Sequence, residues 1–442
     1  MREPAAGRHP LPTSDSKADV VIIGAGIVGC CTAYYLAKKG VNVAVVEKGE
    51  VAGEQSSRAW GWVRQQGRNP REIPLVMFSK GLWTGLADEI GADLEWIEDG
   101  SLKLAYTEDD LAHFEDWARE ARDLGLDTTV LTRDEVKREI PALEGSFLGG
   151  IHTPSDGQTE PRRATEAIAW AARENGVALQ TGRAVEGIEV EGGAVKAVVT
   201  DKGRIETEKV VCAAGAWAAK VGRMVDVHLP QRVVKGTVVC TEPAGIVSHC
   251  TVMTPDVTFR QKRDGTFYIS NGTRSDYYVD LDSFRNLGLF MRNFLRVRRT
   301  MNVHVGRDLI EDVARALPGS RARTHPFAHT VGVEPEPNDR FVDQAIRHLR
   351  RLLPSVGELG IRRTWAGRID ASPDATPVLG EAPGVKGFYF ATGMSGHGIA
   401  MAPGAGLAMS QLVTGETPSV DLHPFRFTRF QERDAADWRK TL

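Results

Sequence analysis

Cysteine is scarce in this 442-residue chain. There are five (Cys30, Cys31, Cys212, Cys240, Cys250), an odd number without C-x-x-C or zinc-site spacing, so neither a disulfide framework nor a cysteine-ligated metal is expected to organise it. Net charge is nearly absent, with 55 basic against 58 acidic side chains for a formal −3. That balance argues against a nucleic-acid partner, which selects for a basic excess. No run approaches about 18 uninterrupted apolar residues, so no spanning helix is expected, while peripheral attachment to a membrane stays open. Residues 1–17 carry proline and polar residues without an apolar stretch and read as a flexible leader, not a secretory signal. Cytoplasmic is the expected location. At 42% hydrophobic and 26% charged, the composition is that of ordinary globular proteins and excludes collagen, coiled coil and global disorder.

What the chain has in excess is glycine, 46 residues against the roughly 31 that average usage would give. The surplus gathers near the two ends. From Ala18 the string DVVIIGAGIVGCCTAYYLAKKGVNVAVVEKG reads as strand, glycine turn, apolar-periodic helix, a stop at Gly40 and a second strand. Gly24, Gly26 and Gly29 form G-x-G-x-x-G between strand and helix. The first allows the turn, the second lets backbone approach a pyrophosphate, and the third lets helix pack on strand. The amides and dipole of the helix N-terminus favour the phosphates. Glu47, 18 residues beyond Gly29, ends the second strand where a carboxylate can accept from ribose hydroxyls.

The motif alone leaves the dinucleotide open. An NAD enzyme would continue at once into further βα units; here a polar, Arg-rich loop over 54–72 intervenes, too long for a compact connection without a task. A helix is expected from Pro74 to about Ile90, strand over 94–106, and helices over 108–124, 133–140 and 162–175. Short antiparallel strands then lead to a buried one at 209–214. That strand turns through Ala213, Ala214 and Gly215 to Trp217, and a last glycine-dense segment, GMSGHGIAMAPGAG, opens another helix. Its N-terminal dipole suits negative charge on a reduced flavin.

Together these segments resemble the D-amino-acid oxidase, glycine oxidase and sarcosine oxidase family of flavoproteins. The resemblance spans nearly the whole chain: the first motif, the Ser56-Ser57-Arg58 turn, AAGAW at 213–217, and TWAGRIDASPDATPVLGEAPGVKGFYFATGMSGHGIAMAP at 364–403. It implies an α/β fold, with a Rossmann-like FAD-binding domain assembled from discontinuous segments (18–92, 150–227 and 350–425). An α+β substrate domain with a mixed, largely antiparallel sheet would take 93–149 and 228–349, leaving 426–442 as a tail. It also implies oxidation of a carbon next to an amine nitrogen. By the same resemblance FAD should meet Gly24, Gly26, Ile27, Val28, Gly29, Glu47 and Lys48 in the first segment. Ser56, Ser57, Arg58, Gly61 and Trp62 follow in the loop, Val185 offers backbone bonds beneath the adenine side, and Ala214, Gly215 and Trp217 form the middle turn. Gly393, Gly396, His397, Gly398 and Ile399 complete the set. Two departures matter. Ala400 stands where sarcosine oxidases carry a carboxylate-holding lysine, and with no cysteine in 251–442 and no histidine in 48–111, FAD should be noncovalent.

The loop after Glu47 carries Arg58, Arg64, Arg68 and Arg71 beside Trp60, Trp62, Gln65 and Gln66. Arginine forms a planar fork to carboxylates, as an anionic substrate requires, although arginines also cluster by chance. Arg64 and His397 are the candidate catalytic residues. Arg64 falls near the family's carboxylate-binding arginine, and His397 is either a base or an orderer of its turn. Arg58, Trp62, Arg68, Arg260 and Tyr268 are further candidates for the substrate, with Tyr277 and Tyr278 behind them. His325 and His329 are four apart but Pro326 and the lack of a nearby carboxylate make them a loop pair; no metal is expected.

WGWVRQQGR most resembles iminodiacetate oxidase and the opine oxidase and hydroxyproline dehydrogenase subunits. That implies a secondary amino acid with two carboxylates, oxidised by hydride transfer, with oxygen as acceptor. The alternatives are a D-amino-acid or hydroxyproline-type dehydrogenase feeding a quinone or partner subunit, an NAD-dependent dehydrogenase, and a flavoprotein that serves as an assembly subunit of a hetero-oligomer.

Overall fold

The computed structural model describes residues 17–272, 274–298, 300–317, 327, 330–437 and 440–442; His325, His329 and most of the 1–17 leader lie outside these. The expected first unit is present as the strand Val20–Ile23, the helix Ile27–Lys38 and the strand Val43–Val46. The strands pair in parallel and are buried throughout, as near-continuous Val/Ile runs covered on both faces require.

They belong to a six-stranded sheet that draws on distant parts of the chain. Val210–Cys212 pairs in parallel with Val20–Ile23, and Phe388–Thr392 pairs in parallel with Val210–Cys212. Ala178–Gln180 extends one edge in parallel, and Val378–Glu381 closes the other antiparallel. The glycine-bearing turns that follow three of these strands therefore open at the same sheet end, where α/β sheets bind ligands.

A second, ten-stranded sheet is mixed and largely antiparallel. Its longest ladder joins Arg232–Thr241 to Ile361–Ala371, from Arg232 opposite Ala371 to Thr241 opposite Ile361. Two strands thus fall on the other side of the expected divide: Ile361–Ala371 and Gly149–Thr153 both run in this larger sheet. The first begins there and delivers its last residues to the cofactor turns, so glycine density marked where the segment ends and not where it starts.

Helices Ile27–Lys38, Ile73–Ile90 and Gly398–Thr414 pack into one apolar cluster. Pro403 lies inside the last of them and has no amide to bond the Ile399 carbonyl. Trp83 fills that vacancy, its Nε1 donating to Ile399 O at 3.0 Å. Beside it Ser79 Oγ donates to Ala400 O and accepts from Gly404 N. The helix Ile73–Ile90 thereby fixes the first turn of Gly398–Thr414, which enters the site described next.

Candidate active site

One cavity collects the three glycine turns. At Gly24, φ is +110° and a Cβ would stand 2.6 Å from Ala213 O; at Gly29 a Cβ would meet Gly24 O at 2.1 Å. Both positions admit only glycine, one because two turns meet there and the other because the helix closes on the strand. Ser56 Oγ accepts from Ile27 N at 2.9 Å, tying the loop to the first helical turn. Glu47 accepts from Ala25 N and Gly49 N, 2.9 and 2.7 Å, and burial pushes its carboxyl up.

Of the residues expected at the cofactor, those lining the cavity early in the chain are Gly24, Gly26, Ile27, Val28, Glu47, Lys48, Ser56, Arg58, Gly61 and Trp62. Val185, Ala214, Gly215, Trp217, Gly396, His397, Gly398 and Ile399, from further along the chain, line it as well. Gly29, Ser57 and Gly393 stand just behind. Gly29 is packed against the turn, Ser57 Oγ bonds Glu54 O and the Arg58 guanidinium, and Gly393 N donates to Asp370.

Asp370 and Gln55 were not foreseen. Asp370, fully buried, accepts from Gly393 N (2.8 Å), Met394 N (3.2 Å), Thr392 Oγ1 (3.4 Å) and Gln55 Nε2 (2.9 Å). Gln55 Oε1 in turn accepts from Ala216 N at 2.7 Å. One carboxylate and one amide so join the post-Glu47 turn, the middle turn and the last turn. These cradles, the amides at the N-termini of Ile27–Lys38 and Gly398–Thr414, and the acid at the second strand's end fit a flavin adenine dinucleotide.

The other end of the cavity is built by Trp62, Arg64, Arg68, Met253, Thr258 and His397. Four buried polar atoms there have no partner: Trp62 Nε1, Arg64 Nε, Arg68 Nη1 and Thr258 Oγ1. The Arg64 guanidinium lies over the Trp62 ring and donates to Met253 Sδ at 3.6 Å, and Arg68 Nε donates to the Arg64 carbonyl at 3.1 Å. Among the described residues neither guanidinium has an ion-pair partner. Burial lowers the pKa of both, and with Arg64 adding repulsion Arg68 falls to about 9. A buried cation without a counter-ion is costly, and an arriving carboxylate relieves the cost.

His397 Nδ1 lies 3.1 Å from Glu72 Oε1, a buried carboxylate that sequence reasoning missed. Burial, then the nearby Arg68, lowers the imidazole to about 4 against the partial compensation of Glu72. The ring is neutral at pH 7. With Nδ1–H donated to the carboxylate, Nε2 is left as an acceptor.

The structure moves other candidates away. Arg260 is buried outside the cavity, donating to Gln158 Oε1 at 2.9 Å and Glu160 Oε2 at 3.2 Å, with Tyr268 against its guanidinium. The expected place at the substrate is not where the side chain lies: a carboxylate from another segment already neutralises it. Tyr277 bonds Ser283 and Tyr278 bonds Lys235. Arg71 pairs with Asp434, and Arg58 with Glu334 at the cavity wall. Gln65 and Gln66 serve the scaffold through the buried Asp156.

Residues 19–412 match the family described as FAD dependent oxidoreductase, DAO. The chain belongs to this family. It is therefore an FAD-dependent oxidoreductase of the kind that acts on amino acids and amines. It is 28% identical to glycine oxidase from Geobacillus kaustophilus over 93% of the chain and 97% of that protein. It is 26% identical to mitochondrial sarcosine dehydrogenase from Mus musculus over 97% of the chain, which spans only 42% of that longer protein. Among solved structures, L-amino acid deaminase from Proteus myxofaciens in complex with anthranilate superposes with a TM-score of 0.89 at 28% identity, covering 94% of each chain. For this DAO oxidoreductase, no helix among the described residues is long and apolar enough to cross a membrane.

Proposed function

We propose that the enzyme oxidises the C–N bond of a secondary amino acid with two carboxylates, an N-substituted glycine of the iminodiacetate or opine kind. The product imine is hydrolysed to an oxoacid such as glyoxylate and an amino acid. The supporting observation is the pair of buried guanidiniums, Arg64 and Arg68, each with an unpartnered N–H group and no ion pair among the described residues. One arginine suffices for one carboxylate; two side by side suit a ligand with two.

FAD, when bound through the three turns and held noncovalently, supplies the acceptor for the hydride of the carbon beside nitrogen. Arg64 and Arg68 bind the acid groups and so orient that carbon. His397, kept neutral and held through Glu72, offers Nε2 to the amine N–H and selects the neutral amine, so no separate base has to remove a proton from carbon. Trp60 and Trp62 wall the cavity and limit water. FAD bound there would also pass the electron pair, together with two protons, to oxygen, giving hydrogen peroxide.

Arg64→Ala tests the assignment. It should raise KM for the acid by roughly 10- to 100-fold, the worth of a hydrogen bond to a charged group, while bound FAD is retained. Unchanged KM would sink it. A second reading, oxidation of an amino acid with a single carboxylate, is favoured by the likeness to the L-amino acid deaminase solved with anthranilate, a monocarboxylate.

A further inference from the structure

Two helices of the larger sheet's outer segment carry their apolar stripes toward solvent. In Leu287–Val297, Leu287, Met291 and Leu295 recur at i, i+4, i+8 and are 36 to 54% exposed. In and just beyond Arg307–Ala316, Ile310, Val313 and Leu317 recur at i, i+3, i+7 and are 45 to 70% exposed. A helix on a globular surface turns such a stripe to the core. Phe284, Leu289, Val303 and Val305 are exposed in the same stretch, so 10 of the 18 large apolar side chains exposed among the described residues fall within 284–317. Scattered apolar residues need no explanation; a concentration of this kind does.

The arrangement is fixed from beneath. Phe290 is buried under the Arg232 guanidinium, and the strand Met301–His304 between the helices pairs in parallel with Ser275–Tyr278. The outward stripes are therefore part of the fold.

The charge of the stretch says what covers it. Residues 284–317 contain seven arginines against three acids and no lysine, in a chain whose overall charge is −3. Of these, Arg298 is exposed directly after the first helix. Amphipathic helices with apolar side chains outward, an arginine excess in the same stretch and, among the described residues, no helix able to span a membrane match the chemistry of an anionic lipid surface: hydrocarbon takes the stripe and phosphate takes the guanidinium. A second copy of the chain is the poorer occupant, because it would set the arginine excess against itself.

We propose that this face docks the enzyme on the surface of an anionic phospholipid bilayer, with the helices 287–297 and 307–316 lying in the interface. The test is flotation of the full-length FAD-loaded protein with vesicles of phosphatidylcholine alone or mixed with phosphatidylglycerol. Binding to the mixed vesicles only, weakened by salt, is expected. Leu295→Glu/Ile310→Glu should abolish it, and Arg298→Gln should lower partitioning by roughly fivefold. Flavin content and melting temperature should stay as in the parent, and Trp170→Glu, at an exposed site elsewhere, should float normally. Three results would overturn the proposal: no flotation with the mixed vesicles, equal loss in the Trp170 variant, or a dimer in gel filtration that Leu295→Glu/Ile310→Glu dissociates while flotation is absent.

Discussion

Replacing Arg68 with methionine should stabilise the ligand-free protein while removing its affinity for acids. The guanidinium is buried beside the Arg64 cation, and even with the attraction of Glu72 and Asp156 its pKa falls from the ordinary arginine range to about 9. That fall corresponds to about 5 kcal/mol of unfavourable free energy for the charged form at pH 7. Methionine is long and apolar enough to fill much of the same space. It forfeits the hydrogen bond from Nε to the Arg64 carbonyl, about 1 kcal/mol, and removes a cation near Glu72. The attraction of Glu72 being already contained in the shifted pKa, the expected net gain is at most about 4 kcal/mol, read by denaturant unfolding of the FAD-loaded protein without substrate. A dicarboxylate inhibitor should bind at least about thirtyfold more weakly, the cost of deleting one partner of a buried charge pair. A variant less stable than the parent, with inhibitor affinity intact, would refute the view that Arg68 is an unpaired cation awaiting an anion.

Other outcomes follow from the same geometry. His397 binds its proton about 2.5 pH units less readily folded than unfolded, so the unfolded chain holds more protons between pH 4 and 6.5. Stability should rise with pH across that window and be lost as pH falls through it. His397 contributes about 3 kcal/mol, absent in His397→Gln and read as melting temperature against pH. The affinity of an amine-free dicarboxylate should decline as pH passes about 9, where free Arg68 loses its charge. Trp83→Phe should cost about 1–3 kcal/mol by leaving the Ile399 carbonyl without a donor, and should weaken FAD binding, measured by flavin fluorescence on dilution.

The parts of the molecule legible in sequence are those built from short-range patterns. The first strand, helix and strand follow from hydrophobic periodicity, and the glycines at 24 and 29 from the contacts a Cβ would make. Arg64 and Arg68 were visible as arginines in a loop without a structural reason to be long. What stayed hidden depends on partners far along the chain. His397 and Glu72 are 325 residues apart, and nothing local announces that the imidazole meets a carboxylate. Asp370 looks like one acid among many until three turns converge on it. Arg260 shows the same limit: it was a candidate for the substrate, but Glu160, which satisfies it, lies 100 residues away. The outward stripes at 287–295 and 310–317 have helical period, and period alone does not say which side the protein covers.

In the proposed reaction FAD bound in this cavity would take a hydride from an amino acid held by Arg64 and Arg68. Anaerobic mixing of the FAD-loaded enzyme with iminodiacetate, opines, sarcosine, hydroxyproline, D-alanine and L-amino acids, followed by flavin absorbance, tests it directly. Bleaching should be fastest with the dicarboxylic secondary amines and slow in Arg64→Ala. Rapid bleaching by monocarboxylic primary amino acids, with the dicarboxylic amines inert, would contradict the account.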